Sequence, residues 1–258
     1  MKIGLIGKGA IANYVCDALE KRGHDVGAIL MRPERLAENP TLYVGAVSQL
    51  PGDLDLMIDC AGHSALAAYG PDILLRGMDL ITVSVGALAD QQVYAALENA
   101  ARRGNAKLHL ASGAIGALDC LQSARIGRLD SVTYVGRKSP KGWKGSPAEN
   151  KLDLDALKGG AKTHFEGTAR EAALAYPKNA NVAAAVALAG VGFDATQVQL
   201  VADPNVTENI HEIVAKGEFG SFRFQISGQS LPDNPRSSAL AAMSVLSKVA
   251  QISQPVTL

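Results

Sequence analysis

The opening of the chain constrains its fold more than any other stretch. Residues 1–12, MKIGLIGKGAIA, read as a buried strand that runs into a tight turn and then a helix. Gly7 and Gly9 stand where a strand-to-helix turn must bend and admit a ligand to the backbone. Ala12 takes the third small position, where the helix packs on the strand, so the pattern is G-x-G-x-x-A. The amphipathic segment Ile11 to Arg22 follows it. Free N–H groups and the dipole of that helix favour a bound anion without a basic side chain. The turn predicts a dinucleotide site, with Gly7, Gly9, Ala10 and Ile11 against the pyrophosphate. A tight structural turn in some other α/β protein is the alternative.

The second strand, Val26 to Met31, ends in Met31-Arg32-Pro33, about twenty residues beyond the glycines, where an NAD-specific site would carry Asp or Glu for the ribose hydroxyls. That acid is missing. Arg32, helped by Arg35, is instead placed to face the 2′-phosphate of NADP, against the alternative of an ordinary solvated loop charge. The cofactor expected is NAD or NADP.

A chain of 258 residues, 47% hydrophobic and with zero formal net charge, can bury one large core or two modest ones. The balanced charge and the absence of a basic run argue against nucleic acid as a partner. No apolar run is long enough to cross a bilayer, and no export leader precedes the first strand, so a cytoplasmic protein is expected. Cys16, Cys60 and Cys120 have neither metal-ligand nor C-x-x-C spacing. They predict reduced thiols and no metal.

Further strands are expected at Tyr43 to Val47, Leu54 to Cys60, Asp79 to Val85 and Lys107 to Ala111, alternating with helices over Ala65 to Arg76 and Asp90 to Arg103. Gly70-Pro71 is expected to break or restart the first of these helices. Such alternation predicts a Rossmann-type doubly wound parallel sheet, with Ala61-Gly62-His63-Ser64 and the turn after Ser84 at strand ends that face cofactor or substrate. Beyond residue 119 the character changes. Ser131 to Lys138 reads as a strand, and the Pro-, Gly- and Lys-rich segment Ser139 to Glu149 as a loop that could be a mobile lid. A strand over Lys162 to Thr168, a helix over Ala169 to Tyr176 and an alanine-rich helix over Asn181 to Ala189 follow. Three more strands, Gln197 to Ala202, Thr207 to Ala215 and Gly220 to Ser227, predict an antiparallel or mixed sheet in a second α+β domain. Asn234 to Ser238 offers cap chemistry for a terminal helix, Ala239 to Ile252, that returns to the first domain. The domains expected are 1–119 with 234–258 for the dinucleotide and 120–233 for substrate, catalysis and dimerisation.

A nicotinamide fold needs a group to manage the proton that accompanies hydride movement. Of five histidines, His24 reads as solvated, His109 as a structural residue inside a strand, and His164 as an exposed partner of Glu166. His211, in the alternating segment Glu208 to Ile213, shares a strand face with Asn209 and is the leading candidate for a base. A half-exposed strand histidine without chemistry is the competing reading. His63, at the start of a helix after a strand end, is placed to meet a substrate carboxylate, and Lys138, Lys141 and Lys144 around the sole Trp143 offer to close over an anion. Asn181 reads either as a group near a flat ring or as an N-cap.

Several of these segments together resemble the L-aspartate dehydrogenases. The resemblance rests on Gly7-x-Gly9-x-x-Ala12, the run Ser112 to Asp119, Lys178 to Ala184, Asn209-Ile210-His211-Glu212 and Asn234 to Ser238, and covers nearly the whole chain. It implies that His211 is the active-site residue, that Ala114 and Asn181 contact the nicotinamide cofactor, and that the protein is a two-domain homodimer using NAD or NADP. It also implies oxidation of L-aspartate to iminoaspartate, which yields oxaloacetate and ammonia or feeds NAD biosynthesis. Lys138, His63, Asn209 and the turn after Ser84 remain candidates for the substrate carboxylates. Alternatives are a dihydrodipicolinate-reductase-like or homoserine-dehydrogenase-like enzyme, and a nicotinamide-binding sensor without chemistry.

Overall fold

A computed structural model describes residues 1–177, 179–231 and 234–256, with the side chains of Pro235 and Arg236 excepted. Lys178, which belongs to one of the segments carrying the family resemblance, lies outside the described residues, as do the side chains of Pro235 and Arg236 in another. The chain divides into two compact units, one made of Met1–Ala111 with Ala241–Leu258 and the other of Ser112–Leu240.

In the first unit the order is β1 (Lys2–Ile6), α1 (Ala10–Glu20), β2 (Asp25–Leu30), β3 (Tyr43–Val44), β4 (Leu56–Asp59), α2 (His63–Leu75), β5 (Leu80–Thr82), α3 (Gln91–Gly104) and β6 (Leu108–Leu110). All six strands are parallel, in the order β3-β2-β1-β4-β5-β6. The direction of winding reverses between β1 and β4, which sets the ligand crevice at the carboxyl ends of these two strands. Near-continuous apolar runs, Ile3 to Ile6 and Leu56 to Ile58, are buried because helices cover both faces of such a sheet.

Contrary to the sequence expectation, α2 is not interrupted at Gly70-Pro71 but runs through Pro71. A proline inside a helix costs about 3 kcal/mol, whereas burying Leu66, Ile73 and Leu74 on the same helix contributes roughly 5–9 kcal/mol, so packing prevails. Asp90 caps α3, its carboxylate accepting from the Gln92 and Val93 amides.

The second unit holds α4 (Leu118–Ala124), β7 (Leu129–Lys138), β8 (Lys162–Thr168), α5 (Ala169–Ala175), α6 (Asn181–Ala189), β9 (Gln197–Ala202), β10 (Asn209–Gly217), β11 (Gly220–Gly228), β12 (Ser230–Leu231) and β13 (Asn234–Ser238). Its mixed sheet has the order β11-β10-β7-β9-β8, with β7 and β9 parallel and the other neighbours antiparallel. Asn234–Ser238 pairs with β12 as a strand, and the Ser238 hydroxyl, next to the start of the last helix, is buried without a hydrogen-bond partner among the described residues. The last helix, α7 (Ala239–Ser253), belongs to the first unit from Ala241 on and buries Ala242, Val245, Leu246 and Val249.

The segment 139–149, expected as a loop, is tied to the sheet by Trp143. It forms two short 3-10 turns, Pro140–Trp143 and Pro147–Asn150, and Trp143 is fully buried. Its indole Nε1 donates to the Val201 carbonyl at 2.9 Å, and its ring meets that of His164 edge-on at 4.4 Å. His164 is itself buried, with Nδ1 3.2 Å from the Tyr176 hydroxyl, and not exposed beside Glu166. Apolar surface of this size outweighs the turn-forming composition around it.

Candidate active site

The G-x-G-x-x-A turn forms as its sequence predicts. Gly7 has φ +82°, and a Cβ there would stand 2.8 Å from the Ala61 Cβ, so the two strand-to-helix turns of β1 and β4 close on each other only because position 7 lacks a side chain. Gly9 takes the N-cap position of α1 with no side chain capping the helix, and a Cβ built on it meets nothing within 4 Å. The first-turn amides, including those of Ala10 and Ile11, are left to an outside acceptor. Ala12 is buried against the sheet. A cleft of about 480 Å³ opens over this turn and is lined by Gly7, Gly9, Arg32 and Ala61 among others. The free helix N-terminus and the open space above Gly9 fit a pyrophosphate.

Met31, just after β2, lines the cleft where an NAD-specific site would carry an acid. Arg32 is exposed, with Nε 3.5 Å from Glu34, and Arg35 pairs with Glu38 at 2.7 Å. Lys8, which the sequence reading passed over, also lines the cleft and lies 5.2 Å above the Tyr43 ring. Its position between the two glycines was the signal.

A second feature was also missed. Asp59, at the carboxyl end of β4, is fully buried. Its Oδ2 accepts from Thr82 Oγ1 at 2.7 Å and Ser84 Oγ at 2.6 Å, and its Oδ1 accepts from the Ala61 amide at 2.9 Å. Burial raises its pKa, and the three hydrogen bonds pull the other way. The cluster pins the Cys60-Ala61-Gly62 turn against the Gly7 turn. It also takes the Ser84 hydroxyl, and the following turn, Val85–Ala89, is buried throughout. The legible signal was an acid inside an otherwise apolar strand. His63 is half-buried as the first residue of α2.

In the second unit His211 departs from the expected half-exposed polar face. It is 4% exposed and shares its side of β10 with Ile213 and Ala215, the side turned to the core. Its Nδ1 and the Tyr134 hydroxyl share a hydrogen bond of 2.7 Å, and the two rings stack with centroids 6.0 Å apart. With Nδ1 engaged, Nε2 is the nitrogen left for a ligand. Gly136 faces His211 across the β7–β10 ladder, and a Cβ on it would fall 2.7 Å from the Tyr134 oxygen, so glycine is what lets the hydroxyl reach the imidazole. Burial, with the charge of Lys138 as a smaller cause, lowers the His211 pKa to about 3.

Lys138, two residues beyond Gly136, is on the same sheet face as His211, and Asn209, two residues before it, continues that face. Asn181 is the first residue of α6, with Ala180 in the cap position, so the N-cap reading of Asn181 does not hold. Ala114 is buried in the irregular run that follows Gly113. Among the described residues no cluster of side chains could hold a metal ion, and no helix is long and apolar enough to cross a membrane.

Comparison with known proteins covers both units. A family profile described as "Homoserine dehydrogenase, NAD binding domain" matches residues 7–111, and one described as "Aspartate dehydrogenase, C-terminal" matches residues 119–252. The chain is 56% identical to the L-aspartate dehydrogenase of Ruegeria pomeroyi over 255 residues, covering 97% of this chain and 92% of that one. It is 44% identical to the L-aspartate dehydrogenase of Ralstonia pickettii, covering 95% of each chain. Among solved structures, aspartate dehydrogenase from Thermotoga maritima superposes with a TM-score of 0.78 at 26% identity, covering 100% of this chain and 99% of that one.

Proposed function

The chain belongs to the L-aspartate dehydrogenase family, an NAD(P)-dependent oxidoreductase family, and from that premise we propose that it oxidises L-aspartate at the α-carbon to iminoaspartate. The imine is hydrolysed to oxaloacetate and ammonia or passed on to NAD biosynthesis, and the reaction runs in both directions. The observation that carries the reading is the Tyr134–His211 pair, an imidazole held by one nitrogen on a buried sheet face.

In the oxidative direction the substrate loses a hydride from Cα and a proton from its nitrogen. A bound nicotinamide supplies the hydride acceptor. His211 takes the proton at Nε2, directly or through one water, while Tyr134 holds the ring through Nδ1. The imidazole is neutral across the working pH range, as an acceptor must be, since burial keeps its pKa near 3. Two substrate carboxylates arriving beside it raise that basicity.

The cofactor pyrophosphate is assigned to the Gly7 and Gly9 turn with the amides of Ala10 and Ile11, the adenosine end to Ala61 and Arg32, and further contacts to Ala114 and Asn181. His63 and Asn209 are assigned to the substrate side. Residues 1–119 with 234–258 carry the cofactor, and 120–233 carry the chemistry and the contact of a cytoplasmic homodimer. The deciding assay takes purified protein with a panel of amino acids, and of keto acids with ammonia, and follows the absorbance of the reduced nicotinamide. Turnover confined to aspartate and oxaloacetate is expected. Protein that leaves aspartate untouched with either coenzyme refutes the proposal.

A further inference from the structure

Lys138 is an amine built into the second unit without a counter-charge. Its Nζ donates to Asn179 Oδ1 at 3.1 Å and lies 5.0 Å above the Trp143 ring, two partners that favour a cation but cannot neutralise one. Among the described residues no carboxylate pairs with it. The nearest acid along the sheet, Asp203 after β9, accepts from Arg137 at 2.7 Å and from the Asn205 amide at 2.9 Å, with Arg137 on the opposite face of β7. Lys144 is paired with Asp155. Around Lys138 the ionisable neighbours are His211 on β10, the Arg137–Asp203 pair, Tyr134 on its own strand, Lys141 on the adjoining turn and, across the Trp143 ring, His164 on β8 with Tyr176. Lys138 is half-buried, and burial lowers its pKa to about 8.

An ammonium held in this way costs desolvation energy that Asn179 and Trp143 return only in part. An anion supplied from outside completes it. We propose that Lys138 is the residue that receives a carboxylate group of the substrate, beside the imidazole of His211 on the same sheet face. The assignment rests on the reading of the protein as an aspartate dehydrogenase for the identity of the anion, and on an amine that no carboxylate neutralises among the described residues for its place. It separates two roles on one face: His211 acts on the proton, and Lys138 holds the substrate's charge.

The test uses succinate, a dicarboxylate with no amine and no group that titrates near neutral pH. Its dissociation constant is measured by calorimetry on the full chain with reduced cofactor bound, across pH 7 to 9.5. In the wild type the constant should be flat at the low end and rise about tenfold per pH unit once Lys138 loses its proton. Lys138→Arg should bind with no such rise, and Lys138→Met should bind on the order of tenfold to a hundredfold more weakly at pH 7, without pH dependence. Trp143 is the sole tryptophan, so its fluorescence reports the same event. A titration step should appear in the wild type and vanish in Lys138→Met, whose unchanged affinity for reduced cofactor certifies its fold. A wild type that fails to bind succinate, a pH-independent constant in the wild type, or wild-type affinity in Lys138→Met overturns the assignment. Aspartate turnover by the wild type is a separate reading, so failure of the enzymatic proposal is told apart from failure of this one.

Discussion

Replacing Gly7 by alanine tests whether the cofactor cradle is built as described. Two penalties follow from its geometry. A φ of +82° costs an L-residue roughly 1–2 kcal/mol. The new methyl would lie 2.8 Å from the Ala61 Cβ and 3.3 Å from the Ala61 Cα, against about 3.5–4.0 Å for carbons at rest, so one turn must retreat by close to an ångström. Overpacking of that kind costs about 1–3 kcal/mol, which makes roughly 2–5 kcal/mol in all. If the turn holds its shape the loss falls on stability; if it relaxes, the loss falls on cofactor affinity, at about tenfold for each 1.4 kcal/mol. Fluorescence titration with reduced cofactor and thermal unfolding together capture both. The double variant Gly7→Ala/Ala61→Gly removes the methyl–methyl overlap but not the φ penalty, and should recover about half of the loss. A Gly7→Ala protein with unaltered affinity and melting temperature, or no recovery in the double variant, would refute this account of the turn.

Three other outcomes are expected. His211→Ala should lower kcat by a factor on the order of a hundred or more while the affinity for reduced cofactor stays as it was, and near-normal turnover would count decisively against His211. Arg32→Ala should raise the KM for NADP relative to that for NAD, and an unchanged ratio would remove Arg32 from coenzyme choice. Burial lowers the pKa of His211 to about 3 and that of His164 to about 4, with the charge of Lys151 a smaller cause for the latter. The unfolded chain therefore binds protons first on acidification. Stability is full above the unfolded histidine value near 6.5 and falls as pH drops toward 4 and then 3, by about 1.4 kcal/mol per pH unit for each ring. Denaturant unfolding at several pH values should show His164→Gln with a shallower decline than the wild type, and equal slopes would contradict the assignment.

The first unit was legible because its signals are local. A glycine turn after an apolar strand fixes backbone shape within a dozen residues, and Gly7, Gly9 and Ala12 occupy the places their spacing predicts. Asn181–Ala189 and Gln197–Ala202 were also readable to the residue, since alanine runs and β-branched alternation speak for themselves. The misreadings share one cause, namely partners distant in the chain. His164 looks exposed beside Glu166 until Trp143 and Tyr176 cover it, and His211 looks half-exposed until Tyr134, seventy-seven residues earlier, meets its ring. Pro71 and the segment around Trp143 followed local breaker rules that burial overrode. The role of Asp59 depends on distant partners in the same way, because Thr82 and Ser84 come from β5 and the turn after it.

The first unit is assembled from two stretches with the whole of the second unit between them. A ribosome delivers the six parallel strands early but makes α7 only after the mixed sheet is complete. At ordinary rates of synthesis the gap lasts on the order of ten seconds. During it, the surface that later meets Ala242, Val245, Leu246 and Val249 stands bare on the nascent chain. The last helix is therefore a closing step, and a nascent chain stalled before it should present an apolar face that chaperones can hold.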